Sequence, residues 1–209
     1  AFLSKSAESR AKVSTITSGT TGTPFRTWMD RGTLAATDAL WWRRTLWNGR
    51  RPRDWIARLV GDPIIPLSVT HPHRAWHASF LDRRLYLSTF HLNPETANCY
   101  FDILERQQPA FLMGYPSALE ILASLAIEQG RTLLWSPRRI LFSSEPMYEH
   151  QQEIITKVFR APIRGLYGSA ERIVSAAQCE NGSYHLSLVD GYVEGQLRLT
   201  PESQPALVT

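Results

Sequence analysis

Hydrophobic and polar positions follow helical and strand periods in turn along this chain. Residues 33–48 fit a helix, with Gly49 placed to end it. A second short helix is predicted from Pro52 to about Val60. Residues 61–92 mix proline, histidine and short apolar runs that read as strands and loops. Upstream, residues 13–17 are β-prone and lead into a Ser/Thr/Gly-rich segment at 17–24. Past residue 93 the signals sharpen. Asn93 is placed as an N-cap, Pro94 at the first helical position and Glu95 in the first turn of a helix running to about Gln107. Residues 110–114 (AFLMG) predict a short buried strand. Ser117 and Glu120 have capping-box spacing, and the helix they open carries Leu119, Leu122, Ala123, Ala126 and Ile127 on one face before Gly130.

The pattern then repeats. RILFSS (139–144) is a strand, 147–159 an amphipathic helix with Ile154, Ile155 and Val158 inward, and IRGLYG (163–168) another strand. Strand–helix–strand–helix–strand at these spacings implies parallel pairing. The alternating tail YHLSLVDGYVEGQLRLT predicts a small antiparallel meander. The fold class expected is therefore α/β: a mostly parallel sheet flanked by helices, with a small antiparallel element near the C-terminus.

Composition narrows the picture. A chain of 209 residues is long enough for one self-sufficient core, and no apolar run approaches the length of a membrane span. Two cysteines 80 positions apart, Cys99 and Cys179, make no disulfide framework, and the first residues lack an apolar leader; a reducing, cytoplasmic setting is expected. The formal charge is +4, a mild basic balance that favours anionic ligands such as nucleotides. Lys5, Lys12 and Lys157 are the only lysines, so a mechanism needing a catalytic lysine has few places to find one.

Three segments carry candidate chemistry. In Thr17-Ser18-Gly19-Thr20-Thr21-Gly22-Thr23-Pro24, two glycines permit a tight turn, and successive amides with five hydroxyls can cradle phosphate oxygens. No Gly-Lys-Ser/Thr follows, so it is not a Walker A loop; a flexible surface loop is the plainer reading. Tyr167-Gly168-Ser169-Ala170-Glu171 closes a strand at the end where parallel sheets bind ligands, and a carboxylate there can hold Mg2+. Ser143-Ser144-Glu145-Pro146 closes the preceding strand and can present groups to a base or ribose; a simple strand-to-helix turn accounts for it equally well.

Taken in order, these segments resemble the adenylate-forming superfamily, and within it the phenylacetate–CoA ligase-like enzymes and their capsule-biosynthesis relatives. TSGTTGTP is similar to that family's ATP phosphate loop, SSEP to its adenine-contacting turn and LYGSAE to its Tyr-Gly-Ser-x-Glu motif; GYPSALEILA and AAQCENGSYHLSLVDGYVE resemble intervening and following segments. The resemblance covers about residues 15–200. It implies activation of a small carboxylic acid with ATP to an acyl-adenylate, with pyrophosphate released, usually followed by thioester formation with CoA. It assigns Thr17 to Thr23 to the triphosphate, Glu171 to Mg2+, and Thr21 with Glu171 to the chemical step. Ser144, Glu145, Pro146, Tyr167, Gly168 and Ser169 would surround the nucleotide, and Tyr115, Pro116 and Gly168 the acid. The alternative is a non-catalytic nucleotide- or partner-binding scaffold derived from such an enzyme.

The chain departs from the family pattern in three places. Thr23 stands where many members carry lysine, the usual lead-in before the phosphate loop is missing, and the sequence stops near the segment that holds the ribose-binding Asp. The expectation is a single, partial adenylation domain over 1–209 without the lysine-bearing C-terminal subdomain, slow at adenylation and inactive in thioester formation by itself.

Other clusters have plainer explanations. His71, His73 and His77 can be read as metal ligands but fit a His/Trp-rich loop better. Cys179 and His185 would need further partners to hold zinc. Residues 41–58 hold four Trp and six Arg against one Asp. That pattern suits single-stranded nucleic acid or the CoA 3'-phosphate, but the preferred reading is a helix with Trp packed inward and Arg solvated. A Trp face covered by a second copy or a further domain is the remaining possibility.

Overall fold

The computed structural model describes residues 12–16, 26–61, 65–169, 172, 174–187, 196–198 and 206–208. The phosphate-loop candidate at 17–24 and Glu171 lie outside them. In chain order, β1 (Lys12–Ile16) pairs antiparallel with β2 (Arg26–Asp30), and α1 (Arg31–Trp47) follows directly. Then come β3 (Ile56–Val60), β4 (Trp76–Ser79), β5 (Arg84–Ser88), α2 (Pro94–Gln107), β6 (Phe111–Gly114), α3 (Pro116–Glu128), β7 (Arg139–Ser143), α4 (Glu149–Phe159) and β8 (Ile163–Gly168). Four strands end the chain: β9 (Ser175–Gln178), β10 (Tyr184–Leu186), β11 (Gln196–Arg198) and β12 (Ala206–Val208).

Eight strands form one sheet in the order β10-β9-β8-β7-β6-β3-β5-β4. The five central strands, β8 to β5, are mutually parallel; β4, β9 and β10 add antiparallel edges. Parallel pairing of β6, β7 and β8, and antiparallel strands near the C-terminus, are what the pattern predicts. The short helix expected over 52–60 is instead β3. Arg53 turns the chain with φ 77°, and Ile56, Ala57, Leu59 and Val60 are buried where β5 and β6 pair on either side, so flanking strands override local preference.

The local signals explain the helix ends. Asn93 accepts from the Thr96 amide at 2.9 Å, and Gln108 stops α2 in the left-handed region. The capping box expected at Ser117/Glu120 does not form. Tyr115 is the N-cap, Pro116 takes the first turn, Glu145 occupies the Ser117 amide, and Glu120 accepts from Gln151 at 2.8 Å. Leu119, Leu122, Ala123 and Ala126 face the core, whereas Ile127 is exposed.

Side chains alternate across the strands, and the two faces are covered unequally. Ala57, Leu59, Leu112 and Ile140 point into a large core with α2, α3 and α4. Ile56, Phe111, Met113 and Leu141 point the other way into a small cluster to which α1 adds Trp41. β6 is buried on both faces, which is why its sequence is an unbroken apolar run.

Gly114, at the end of β6, marks the tightest approach between sheet and helix. A Cβ there would lie 2.9 Å from Leu119 Cγ and 3.0 Å from the Leu59 carbonyl oxygen. Gly114→Ala is therefore expected to cost about 1–3 kcal/mol, read as a lower denaturant midpoint at unchanged m-value.

Candidate functional site

The order of the parallel strands reverses at β3: the chain moves to β5 on one side and then returns across to β6 on the other. Such sheets bind ligands outside the carboxyl ends of their strands. Here those ends carry Gly61, Gly114–Tyr115, Ser143–Ser144 and Gly168–Ser169. Tyr115 sits at the reversal itself, its ring over Gly61 with Cε2 3.5 Å from where a Cβ would stand.

Because β7 and β8 are neighbours, with Ser143 opposite Leu166, their two following turns meet. Ser144 adopts φ 74°, a left-handed conformation that ordinary residues hold only when their surroundings impose it. Glu145 is turned back rather than outward. Its two carboxylate oxygens accept from the amide and the hydroxyl of Ser117, both at 3.0 Å, so it caps α3. Ser144, Glu145, Pro146, Tyr167 and Gly168 line one cavity of about 660 Å³, with Tyr184 and Gln152 on its walls. Tyr167 is half exposed there.

A second cavity, of about 530 Å³, lies on the other face of the sheet beneath α1. Ser144 and Gly168 line both cavities, and Ser169 lines the second. Tyr115 and Pro116 line neither, so the residues assigned to the acid are divided: Gly168 is at the cavities, and Tyr115 and Pro116 are at the strand reversal.

The expected arrangement of the Trp/Arg segment holds only in part: Trp41 packs against the small cluster and Arg51 and Arg53 are exposed, but other residues of α1 depart from it. Trp42 and Trp47 are 48% and 36% exposed, whereas Arg44 is 1% exposed. Arginines cover the outer tryptophans: Arg50 lies 3.9 Å from the Trp42 ring centroid and Arg43 4.8 Å from that of Trp47. Arg44 donates through Nη2 to the Phe142 carbonyl at 2.9 Å, while its Nε and Nη1 have no hydrogen-bond partner among the described residues. Burial lowers its pKa to about 10, against a smaller opposing pull from Tyr184. Sequence reading missed Arg44. Its spacing from Thr37, Leu40 and Trp41 on one helical face was the available signal.

At the sheet edge, a hydrogen bond from His185 holds the Cys179 thiol below its usual value, and the Trp47 ring meets His185 edge-on at 5.5 Å. Among the described residues no group of three or more His, Cys, Asp or Glu gathers to hold a metal. His73 Nδ1 instead lies 3.5 Å from Cys99 Sγ, and His77 stacks on Tyr86.

No family model matches the chain. CapK of Staphylococcus aureus is 24% identical over 111 residues, which is 53% of this chain and 25% of CapK. A structure of 2-hydroxyisobutyryl-CoA ligase in an open conformation, in complex with 2-HIB-AMP and CoA, aligns with a TM-score of 0.57 at 18% identity, over 87% of this chain and 42% of the ligase. The long-chain-fatty-acid-CoA ligase FadD1 of Archaeoglobus fulgidus aligns with a TM-score of 0.55 at 18% identity, over 78% and 32%. An acyl-CoA synthetase of Brucella canis gives 0.51 at 22%, over 81% and 29%. The chain spans a quarter of that curated relative and less than half of these ligases. Its fold is that of part of an adenylate-forming acyl-CoA ligase, and the likeness at these identities is one of fold. Among the described residues no helix is long and apolar enough to cross a membrane.

The Glu145 contacts generate a prediction. Glu145→Gln keeps the shape but removes the charge that caps α3 and supports the turn. It should lower stability by about 0.5–2 kcal/mol in chemical denaturation. Stability equal to the parent protein would show that the contact contributes nothing.

Proposed function

We propose that the protein activates a carboxylic acid with ATP, in the manner of phenylacetate–CoA ligase-like enzymes, forming an acyl-adenylate, with transfer to CoA belonging to a parent enzyme that carries the lysine-bearing subdomain. The observation that carries this reading is the meeting of the Ser144–Pro146 and Tyr167–Gly168 turns around one cavity at the carboxyl ends of β7 and β8. A cavity of this size suits a nucleoside, and its open, partly aromatic wall suits a base stacked on Tyr167.

In this reading the backbone around Ser144 and Pro146 meets the adenine edge, while Glu145 works indirectly by fixing the turn. Ser169 and the loop of Thr17, Ser18, Gly19, Thr20, Thr21, Gly22 and Thr23 hold the phosphates through amides and hydroxyls. Glu171 is the residue that would hold Mg2+, which supplies charge neutralisation on the phosphates. A carboxylate oxygen of the acid attacks the α-phosphorus, the α–β anhydride bond breaks, and pyrophosphate leaves. The acid is already the nucleophile, so positioning and charge stabilisation are what the chain's residues must provide.

ATP–pyrophosphate exchange over a panel of acids tests the proposal. The expected result is acid-dependent exchange that Glu171→Gln reduces by about 100-fold or more. Nucleotide binding with no exchange for any acid would mark the non-catalytic scaffold instead.

A further inference from the structure

The cavity beneath α1 has a character that adenine and phosphate binding do not explain. Its described walls include the apolar Leu40, Trp41, Met113 and Leu166, and among the described residues four arginines and no acidic residue line it. Two of those arginines are engaged elsewhere: Arg43 covers Trp47, and Arg58 lies over Tyr86. Arg44 is different. It is fully buried, holds one carbonyl, and leaves Nε and Nη1 without a hydrogen-bond partner among the described residues. The Ser187 hydroxyl, on the same cavity, is also buried with no hydrogen-bond partner among the described residues. A buried cation with neither a carboxylate nor a full set of acceptors is strongly unfavourable. Its presence on the floor of an apolar cavity calls for an anion that arrives with the ligand.

We propose that this cavity receives the body of the acid substrate and that Arg44, with Ser187, binds a second, terminal carboxylate on it, so that the acid activated is a dicarboxylic acid. This rests on the acid-activating function proposed above, and it deepens that function by naming the substrate class. The geometry supports one carboxylate at each end. Ser144, Gly168 and Ser169 stand at the strand ends where the cavity opens beside the nucleotide turns. Arg44 reaches the carbonyl of Phe142, below those ends. An acid lying along the cavity would present its reacting carboxylate to the α-phosphate and its far carboxylate to Arg44. The apolar walls would cover the carbon skeleton between them. A monocarboxylic acid of the same skeleton would leave Arg44 unanswered, which is the kind of mismatch that polar sites reject most strongly.

The test pairs acids of equal skeleton: hexanoate with adipate, and benzoate with terephthalate. Binding is measured without ATP, by calorimetry and thermal shift, on the parent protein, Arg44→Met and Arg44→Lys. The expected result is that the dicarboxylates bind the parent protein at least 10-fold more tightly than their partners, and that Arg44→Met removes that preference, a loss of about 10- to 100-fold. If Arg44→Met does not fold, Arg44→Lys carries the test: it keeps the charge but loses the fork, and should bind adipate more weakly than the parent. Equal binding of both members of each pair overturns the proposal. So does tighter binding of hexyl phosphate than of adipate, which would make the site one for phosphate. Because these readouts need no turnover, a protein that binds dicarboxylates through Arg44 but shows no ATP–pyrophosphate exchange would retain this site and refute the proposed activity alone.

Discussion

A parallel sheet sends every strand-to-helix turn out at one edge, and the arrangement of this protein follows from that constraint. Ser117, Glu145 and Tyr167, at or beyond the ends of β6, β7 and β8, are 22 or more residues apart in sequence, yet pairing of adjacent strands makes them neighbours. Glu145 reaches Ser117 only because β6 and β7 are paired in register. The cap on α3, the left-handed turn at Ser144 and the cavity mouth beside Tyr167 are thus one connected piece of structure.

The unequal covering of the two faces has the opposite effect. Three helices and a continuous set of Leu, Phe and Tyr side chains close one face. On the other, α1 contributes only Arg44 and Thr45 as fully buried residues, with Trp41 packed against a cluster of four. Helix α1 is consequently attached by polar contacts: Arg44 to the Phe142 carbonyl, and Asn48 to the Gln178 carbonyl at 3.1 Å. An element held this way forfeits apolar burial and leaves room beneath it. The first face supplies stability, and the second supplies the cavity.

Much of the fold is legible in the residues because local and long-range preferences agree from residue 93 onward. Asn93-Pro94 starts a helix, AFLMG is buried on both faces, and the intervening helices have the length that parallel crossovers require. Legibility fails where tertiary contacts decide. Residues 56–60 are too few to establish a period, and only pairing with β5 and β6 makes them a strand. Ser117 and Glu120 have the spacing of a capping box, but Glu145 arrives from another turn and takes the amide. In α1 a sequence rule points the wrong way. Arginine beside tryptophan reads as solvated, yet Arg44 turns in while Trp42 faces out under Arg50, because the sheet offers a carbonyl at Phe142 rather than a deep apolar surface. The place of residues 143–146 and 167–169 at the carboxyl ends of strands was legible in the pattern. The inward turn of Glu145 was not.

The central claim is that the two turns after β7 and β8 form the seat of a nucleotide. A crystal structure of the protein with ATP, or with a sulfamoyl-adenosine mimic of an acyl-adenylate, tests it most directly. The account predicts the adenine between the Ser144–Pro146 turn and the Tyr167 ring, in the cavity those residues line. A nucleotide bound at any other surface, with that cavity empty at saturating ligand, would contradict it.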